Sequence, residues 1–382
     1  MNDNQTSRED SCDEDLDQRS EWAESEDTGS DAAITKPFDP TLIRVEPRVL
    51  TIDLLVSRMK ENEIDLMPAF QRHSDIWKES AQSRLIESIL IRIPLPAFYM
   101  DATNEDCWLV VDGLQRLSTL KRFVIEKNLR LTDLEFLTDF NNKGYDDLPR
   151  IFQRRIAETQ VTVFLIEKGT PPEVKFNIFR RINTGGLPLS AQEIRHALNQ
   201  GPATELLERL AASTAFKTAT WHGVNPRRMD DRECVLRFLA FAITPYTAYQ
   251  AKELDTFLNE MMGRINKMNS DRLQDLERRF IRAMNAAHKI LGVNAFRKKY
   301  SAREGRLPIN KALFEAWSVN LDKMSDEQLL MLEAKKGEVI DDFMKLMNDR
   351  NFEPSVSSGT GDIKKVKTRF SAIENLLGEV LA

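Results

Sequence analysis

Cysteine and histidine are scarce in this sequence. Its 382 residues include only three cysteines and four histidines. Cys12, Cys107 and Cys234 are too far apart to give a zinc-binding spacing, and they form no disulfide framework. The histidines are equally scattered, which argues against a His-based metal site. The composition therefore excludes the disulfide-rich and zinc-finger classes of protein.

Long apolar runs are also absent. No apolar stretch reaches the length of a transmembrane helix, and the N-terminus lacks the charged-then-apolar pattern of a secretion signal. We therefore expect a cytoplasmic protein with no membrane partner. The chain length and the hydrophobic content of 41% are typical of a globular protein with two domains.

The net charge of −6 is unevenly distributed along the chain. Residues 1–40 hold 13 acidic and 3 basic residues, so the rest of the chain has a net charge of +4. This polar, acidic segment predicts a disordered tail. Such a tail is typically solubilising, and the alternative is that it mimics nucleic acid and covers a basic groove. A mildly basic body fits a nucleic-acid partner without requiring one.

A strand, a turn and a helix follow one another without a break around Asp112. Residues 108–111 are apolar and β-branched, which predicts a buried strand. Asp112-Gly113 is a turn signal, and a helical apolar period begins at Gln115. The start of a helix suits a phosphate, and Arg116 adds positive charge there. The residues alone equally allow an ordinary capped helix after a tight turn.

A second candidate site lies between two predicted helices. A helix over residues 173–182 leads into Asn-Thr-Gly-Gly at 183–186, and Ser190 with Glu193 predicts the capping box of the next helix. The two glycines permit the backbone of a phosphate- or ribose-binding loop, although a plain helix–helix connection has the same signal.

The chain after Gly201 is predicted to be helical to about residue 348, because its segments show 3.6-residue apolar periodicity. A Pro/Ser/Gly-rich stretch at 351–361 predicts a linker, and residues 362–382 predict a final helix that docks through an apolar seam. Basic residues open two of these helices, as candidate DNA contacts or as ordinary solvated helix starts. The candidate DNA-binding residues are Arg227, Arg228, Arg232, Lys364 and Lys365.

These features occur in an order that resembles a known family. The motifs are Pro68-x-x-Gln71-Arg72, Trp77, Leu85-Ile86-Glu87-Ser88-Ile89-Leu90 with Pro94-Leu95-Pro96, Asp112-Gly113-Leu114-Gln115-Arg116, Phe179 to Gly186, and Arg227-Arg228-Met229-x-x-Arg232. Over roughly residues 45–240 this pattern resembles domain-of-unknown-function family 262, the N-terminal domain of GmrSD-type modification-dependent restriction enzymes. The family has Asp-Gly-Gln-Gln-Arg, and here Leu114 replaces the first Gln.

The resemblance implies an α+β fold similar to that of ParB and sulfiredoxin, with a small mixed sheet, followed by an all-helical C-terminal domain. We expect a disordered acidic tail at 1–45, a ParB/sulfiredoxin-like nucleotide-binding domain at 46–200, a helical domain at 201–350, a linker at 351–361 and a C-terminal helix at 362–382. The related two-domain enzymes carry a His-Asn-His nuclease centre in a second domain. After residue 240 this sequence has one histidine, His288, and we expect no such centre.

The function implied by the resemblance is binding and hydrolysis of an NTP, used to regulate a nuclease in a restriction or anti-phage defence system. Asp112 would act on water or on a metal ion, the Gly113 backbone and Gln115 would hold phosphate oxygens, and Arg116 would neutralise their charge. The remaining implied pocket residues are Gln71, Arg72, Asn183, Gly185 and Gly186. ATP or GTP is the expected nucleotide, and Mg²⁺ is a compatible cofactor. The expected partners are DNA, a separate nuclease or effector protein, and a second copy of the chain.

Two other functions stay open at this point. A non-catalytic ParB-like DNA-binding protein would use the basic clusters, and its DNA affinity would depend on salt but not on nucleotide. A stand-alone DNA nickase is disfavoured by the missing histidine centre.

Overall fold

Alternating apolar residues build five strands into one mixed sheet. The computed structural model describes residues 23–24, 44–66, 77–182, 190–251 and 253–382, without the side chains of residues 172, 173 and 227. The strands are β1 (Val45–Thr51), β2 (Ile64–Asp65), β3 (Phe98–Asp101), β4 (Trp108–Asp112) and β5 (Gln160–Ile166), in the sheet order β1-β5-β3-β4-β2. The pairs β1–β5 and β3–β4 are antiparallel, and β3–β5 and β2–β4 are parallel. The predicted small mixed sheet is thus confirmed.

The two-residue period of a strand sends successive side chains of β4 to opposite faces of the sheet. Trp108 and Val110 belong to the larger apolar cluster, while Val111 belongs to a separate, smaller one. Helices supply apolar residues to both clusters. The larger cluster receives residues from α1 (Ile52–Lys60), α2 (Glu79–Leu90), α3 (Leu114–Leu120) and α4 (Arg150–Glu158), and the smaller from α5 (Pro172–Ile182) and α6 (Ala191–Leu198).

The chain divides into two compact units, and the first of these, Lys36–Leu198, contains the whole sheet; we call it the sheet unit. The second comprises Asn199–Ala382 together with Met1–Thr35, and we call it the helical unit. The predicted domain boundaries stay predictions. The expected disorder of residues 1–45 falls outside the described residues, apart from 23–24 and 44–45.

The secondary structure of the helical unit beyond residue 199 is helical in its described residues, apart from isolated β-bridges such as that between Arg297 and Ile309, as the sequence predicted. Its α-helices are α7 (Pro202–Ala212), α8 (Thr214–Thr220), α9 (Asp230–Ile243), α10 (Leu254–Ile265), α11 (Ser270–Leu291), α12 (Lys311–Asp322), α13 (Asp326–Ala334), α14 (Lys336–Met347), α15 (Glu353–Ser357) and α16 (Ile363–Leu381). The apolar period of residues 325–347 predicts a single helix, whereas the structure has two, α13 and α14, with a break at Lys335. The break could not be predicted from the period, because the period continues across it. The apolar seam of α16 is buried as predicted, with Val366, Phe370 and Ile373 fully inaccessible.

The structure differs from the expectation of a linker at 351–361. This stretch contains α15, and its Phe352 and Val356 side chains are buried in the helical core. Its backbone carbonyls accept hydrogen bonds from side chains that are themselves buried: Arg369 donates to Thr360 O at 2.7 Å and Asn310 to Val356 O at 2.8 Å. Composition alone misled here, because polar backbone can enter a core when distant side chains satisfy it.

A buried carboxylate on α2 fixes the segment that follows α3. Glu87 Oε1 accepts the backbone N–H groups of Phe136 and Leu137, each at 2.7 Å, and Oε2 accepts that of Glu135 at 3.0 Å. Burial raises the pKa of Glu87, but these three donors outweigh it and hold the pKa below its ordinary value of 4.5. The ionised carboxylate therefore stabilises the fold.

Glu87→Gln is expected to lower the free energy of unfolding by about 1–3 kcal/mol at pH 7, because an amide cannot accept three N–H donors as a carboxylate does. A lowered folded-state pKa gives stability that is present above the ordinary pKa and is lost as pH falls through the folded one. The difference between wild type and variant should thus shrink below pH 4.5. Urea unfolding at several pH values measures it. Glu135→Gln, in an exposed pair with Arg84, is the control. A pH-independent difference would contradict the assignment.

Three helices of the helical unit are joined by a buried ionic network. Glu315 on α12 receives Arg369 of α16 through Nε at 2.9 Å and through Nη2, and Arg237 of α9 at 3.4 Å. Arg237 also pairs with Glu233 at 2.7 Å. Glu315 and Arg369 are fully inaccessible to solvent. Charges at such depth are tolerated because each has a partner.

Arg369→Ala should destabilise the protein by about 3–5 kcal/mol, because it leaves Glu315 buried with one of its two cationic partners missing. Thermal and urea unfolding of the full chain measure this effect. Arg278→Ala is the control, since that arginine is 78% exposed in a surface pair and should change stability by no more than about 0.5 kcal/mol. Equal effects of the two substitutions would show that the network adds nothing to stability.

Candidate functional site

The turn between β4 and α3 requires glycine at position 113. Gly113 lies in the left-handed region, at φ +100°, where it caps the start of α3. A Cβ atom added there would lie 2.4 Å from Cδ1 of Phe98. Both the backbone angle and the available space therefore exclude a larger residue. The Phe98 ring lies directly against the Gly113 Cα and closes that side of the turn.

Arg116, one turn into α3, ties this corner together. Its Nη2 donates to Asp112 Oδ2 at 2.8 Å and to Ala97 O at 3.2 Å, and its Nη1 donates to Pro96 O. The guanidinium also lies over the Phe98 ring, 4.4 Å from the ring centroid. The residue is only 8% exposed. The sequence predicts that Arg116 meets a phosphate, and in the structure three of its N–H donors already bind acceptors inside the fold.

Asp112 is the more accessible partner of this ion pair. Its side chain is 28% exposed, against 10% for the side chain of Arg116. Burial raises the pKa of Asp112, and the charge of Arg116 and the Gly113 N–H offset part of that shift. Burial likewise lowers the pKa of Arg116, opposed by the charge of Asp112. Both shifts have the same cause, which is the cost of a charge in a partly desolvated corner.

The segment that contains Gln71 and Arg72 lies outside the described residues, and the described residues on either side of it contact β4 and α3. Before it, β2 pairs with β4, with Ile64 opposite Trp108. After it, the N–H of Trp77 donates to the side-chain oxygen of Gln115 at 3.4 Å. Gln115 is therefore engaged with the chain that returns from this segment.

The predicted loop residues Asn183, Gly185 and Gly186 also lie outside the described residues. The helix after them starts as predicted: the Ser190 N–H donates to Glu193 Oε2 at 2.6 Å, and the Glu193 N–H donates to Ser190 Oγ at 3.1 Å. This reciprocal pair confirms the capping box.

The two helices that flank this loop pack on the end of β4. Phe176 and Phe179 of α5 and Ile194 of α6 form one buried cluster with Val111, the residue before Asp112. The helices that flank the second predicted motif therefore pack on the strand end that leads into the first.

Sequence reasoning missed a buried ion pair that fixes α5 to the sheet. Lys175 Nζ lies 2.9 Å from Asp101 Oδ2, at the end of β3, and it also donates to the Thr103 hydroxyl. Lys175 and Asp101 are each 8% exposed. The available signal was a lysine between two apolar residues, Val174 and Phe176, on the face of α5 that packs on the sheet.

The basic residues proposed as DNA contacts have different environments. Arg232 is buried and pairs with Glu208 at 3.0 Å, which argues against a role in binding phosphates. Arg228 is half-buried, and the side chain of Arg227 is not described. Lys364 is exposed, while Lys365 Nζ donates to Ser358 O at 2.5 Å.

A groove of about 580 Å³ lies apart from these residues, between α11 and α13 of the helical unit. Its floor includes Ile281, Ile290 and Leu329, and none of the predicted site residues lines it. The charges at its rim are largely paired with each other, as Arg282 is with Asp326 at 2.7 Å. We assign it no part in the candidate site.

Within the described ranges, no three or more His, Cys, Asp or Glu side chains are grouped so as to hold a metal ion. In the same part of the chain, no helix combines the length and the apolar character needed to span a membrane.

Residues 52–199 match the family model of the GmrSD restriction endonuclease N-terminal domain. The match begins at the first residue of α1 and ends one residue beyond α6, so it covers every element of the sheet unit except β1. It is shorter than the 45–240 expected from the motifs. The match supports a restriction or defence-system protein. Comparisons with curated proteins and with solved structures gave no match.

Gly113→Ala is expected to lower the free energy of unfolding by about 1–3 kcal/mol, because alanine is strained at this φ and its Cβ would overlap Phe98. Chemical unfolding of the full chain measures the loss. Gly337→Ala is a matched control: it lies in α14 with nothing within 4 Å of an added Cβ, and the same substitution should be neutral or slightly stabilising there. Unchanged stability of the Gly113 variant would mean that the turn is not constrained as described.

Proposed function

We propose that the sheet unit binds and hydrolyses a nucleoside triphosphate and thereby regulates a restriction or anti-phage defence system. One structural observation carries this proposal. A partly exposed acid, Asp112, is held at the end of β4 by a buried arginine, and the described residues that flank the other two predicted nucleotide-binding segments contact β4 or the first turn of α3. The match of residues 52–199 to the GmrSD N-terminal domain supports the same reading.

Asp112 is the residue that we assign to the chemistry. Hydrolysis of a terminal phosphoryl group needs a water molecule placed in line with the bond that breaks, and a carboxylate can accept a hydrogen bond from that water. Arg116 holds the carboxylate in place and favours its ionised form. In this assignment, Arg116 acts mainly by positioning Asp112, since three of its five N–H donors are used within the fold.

The phosphate charge must then be met mostly by other groups. We propose Arg72 and Gln71 on one side, the amides of Gly185 and Gly186 with Asn183 on the other, and the Gln115 side chain and the Gly113 amide at the start of α3. This division follows from the commitment of the Arg116 guanidinium to Asp112 and to two carbonyls. Backbone amides and an arginine are the usual donors to phosphate oxygens.

Magnesium is compatible with this site. Mg²⁺ in nucleotide sites is commonly held by one or two carboxylates together with the substrate's phosphates, and Asp112 offers one such carboxylate. The ion would supply neutralisation of phosphate charge. We propose ATP or GTP as the nucleotide. DNA, a separate nuclease or effector protein and a second copy of the chain are the proposed partners.

Asp112→Asn tests the proposal in the purified full-length protein. We expect turnover of ATP or GTP with Mg²⁺ to fall by about 10²-fold or more, because asparagine cannot accept a proton from water. Asp53→Asn is the control, since it makes the same charge change at an exposed position on α1 of the same unit. Burial raises the pKa of Asp112, so wild-type kcat/KM should decline on the acid side at a pH above 3.8, the ordinary pKa.

Equal turnover by Asp112→Asn and wild type, with both folded by circular dichroism, would refute the role of Asp112. Failure of the wild type to bind or hydrolyse either nucleotide, with or without DNA, would refute the nucleotide function itself. DNA affinity that depends on salt and not on nucleotide would then favour the non-catalytic DNA-binding alternative.

A further inference from the structure

The loop between α11 and α12 of the helical unit is strongly basic. We call residues 297–306 the basic loop; five of its ten residues are Lys or Arg and one, Glu304, is acidic. Arg303 and Arg306 are exposed. Arg297 is buried and donates to Thr220 O at 2.9 Å and to Leu307 O, which anchors the loop to the helical body. The basic loop thus presents positive charge from a fixed base.

A residue of the acidic N-terminal tail binds at the edge of this loop. The carboxylate of Glu24 receives Lys298 Nζ on Oε1 and Asn310 Nδ2 on Oε2, both at 2.9 Å. The N–H of Glu24 donates to Ile309 O at 2.8 Å, and Ala23 packs against the helical core. Both oxygens of one carboxylate are therefore held by donors from the helical unit.

Asn310, one of the two side-chain donors of this site, is also fixed by contacts that do not involve Glu24. Asn310 caps α12, because its Oδ1 accepts the Leu313 N–H at 2.8 Å. Its Nδ2 also donates to Val356 O at 2.8 Å, so the second N–H is directed at Glu24. The side chain of Lys298 is only 12% exposed. Such fixed donors suit any anionic oxygen and are not adapted to a carboxylate alone.

We propose that Lys298, Asn310 and the basic loop form a surface that binds the phosphodiester backbone of nucleic acid, and that Glu24 occupies it within the same chain. The tail that supplies Glu24 has 13 acidic residues in its first 40, while the rest of the chain is net basic. In the described part of the tail, residues 23–24, one backbone hydrogen bond joins Glu24 to Ile309, and the side-chain contacts of Glu24 are made by its charged oxygens, which phosphate oxygens reproduce. A tethered competitor acts at high effective concentration, so it weakens nucleic-acid binding until it leaves.

This surface is distinct from the basic clusters at 227–232 and 364–365, and it does not depend on the proposed nucleotide function. It assigns the acidic tail a partner within the chain. Because each contact that neutralises a phosphate releases counterions, the surface predicts a defined dependence of affinity on salt.

The test uses the full-length protein and a fluorescent 30-base-pair DNA duplex, with affinity measured by anisotropy over a range of salt concentrations. Glu24→Ala and Glu24→Gln should each raise the affinity by about 3–10-fold at low salt, as expected for the loss of a tethered competitor. Glu338→Ala is the matched control: it makes the same charge change at an exposed position on α14, and it should raise the affinity less. The glutamine variant keeps the experiment informative if the alanine variant unfolds.

Removal of the surface itself should have the opposite effect. The double variant Arg303→Ala with Arg306→Ala should bind DNA more weakly and reduce the slope of log affinity against log salt by about 2, one for each lost phosphate contact. Lys298→Ala introduced into Glu24→Ala should cancel the gain. Equal affinities of the Glu24 and Glu338 variants, or an unchanged salt slope, would overturn the proposal. The proposal would also be overturned if the Glu24→Ala protein bound a synthetic peptide of residues 1–30 but not DNA, since the surface would then be a peptide-binding site.

Discussion

The ion pair between Asp112 and Arg116 is the contact on which the sheet unit is organised. It links the end of β4 to the first turn of α3, and the same guanidinium binds the two carbonyls that precede β3. Phe98 fills the space between them, against Gly113 on one side and Arg116 on the other. Burial of this charged pair is unfavourable. It raises the pKa of Asp112 and lowers the pKa of Arg116, so it disfavours the charged form of each partner. The pair also stabilises the fold, because the same guanidinium satisfies those two carbonyls.

The same strand end receives support from the opposite face of the sheet. Val111 packs with Phe176, Phe179 and Ile194, and the Lys175–Asp101 pair ties α5 to the neighbouring strand. Asp112 is therefore held from both faces, by an ion pair on one and by apolar packing on the other. Catalytic groups need such rigid support, since small displacements of a reacting group are expensive in rate.

The sequence predicts the periodic parts of this fold well. The sequence predicts helices over 79–91 and 271–290 and a strand over 108–111, and the structure has α2, α11 and β4 there with bounds that differ by one residue at most. The agreement is close because an apolar period is a local property. The edge strand β1 was missed because it contains Pro47, which is tolerated only at a sheet edge, and edge position is not visible in the sequence.

The buried charges could not be predicted in the same way. Glu87 is satisfied by backbone groups about 50 residues away, and Arg369 by a glutamate 54 residues away. Arg116 was predicted as a site residue from its position at the start of a helix. Its burial could not be predicted, because it depends on Phe98 and on the carbonyls of Pro96 and Ala97, which no local pattern links to it. The sequence predicts that a charged residue in a helix is exposed, because a partner that is distant in sequence cannot be recognised from the local pattern.

This limit bears directly on how anions are bound. Basic residues in a sequence suggest phosphate contacts. In the structure, however, Arg116, Arg232 and Arg369 each form an ion pair with an acidic residue of the same chain. The positive charge of such an arginine still acts on a nearby site. The arginine offers few N–H donors to a ligand, however, because a ligand that takes a donor must first replace an internal hydrogen bond. An anion from solution is therefore bound by side chains that have N–H donors directed away from the protein interior. Lys298 and Asn310 meet that condition, since a carboxylate of the chain's own tail already takes their outward donors. The distinction between internal and outward charge, more than the number of basic residues, decides which surfaces of this protein can hold nucleic acid.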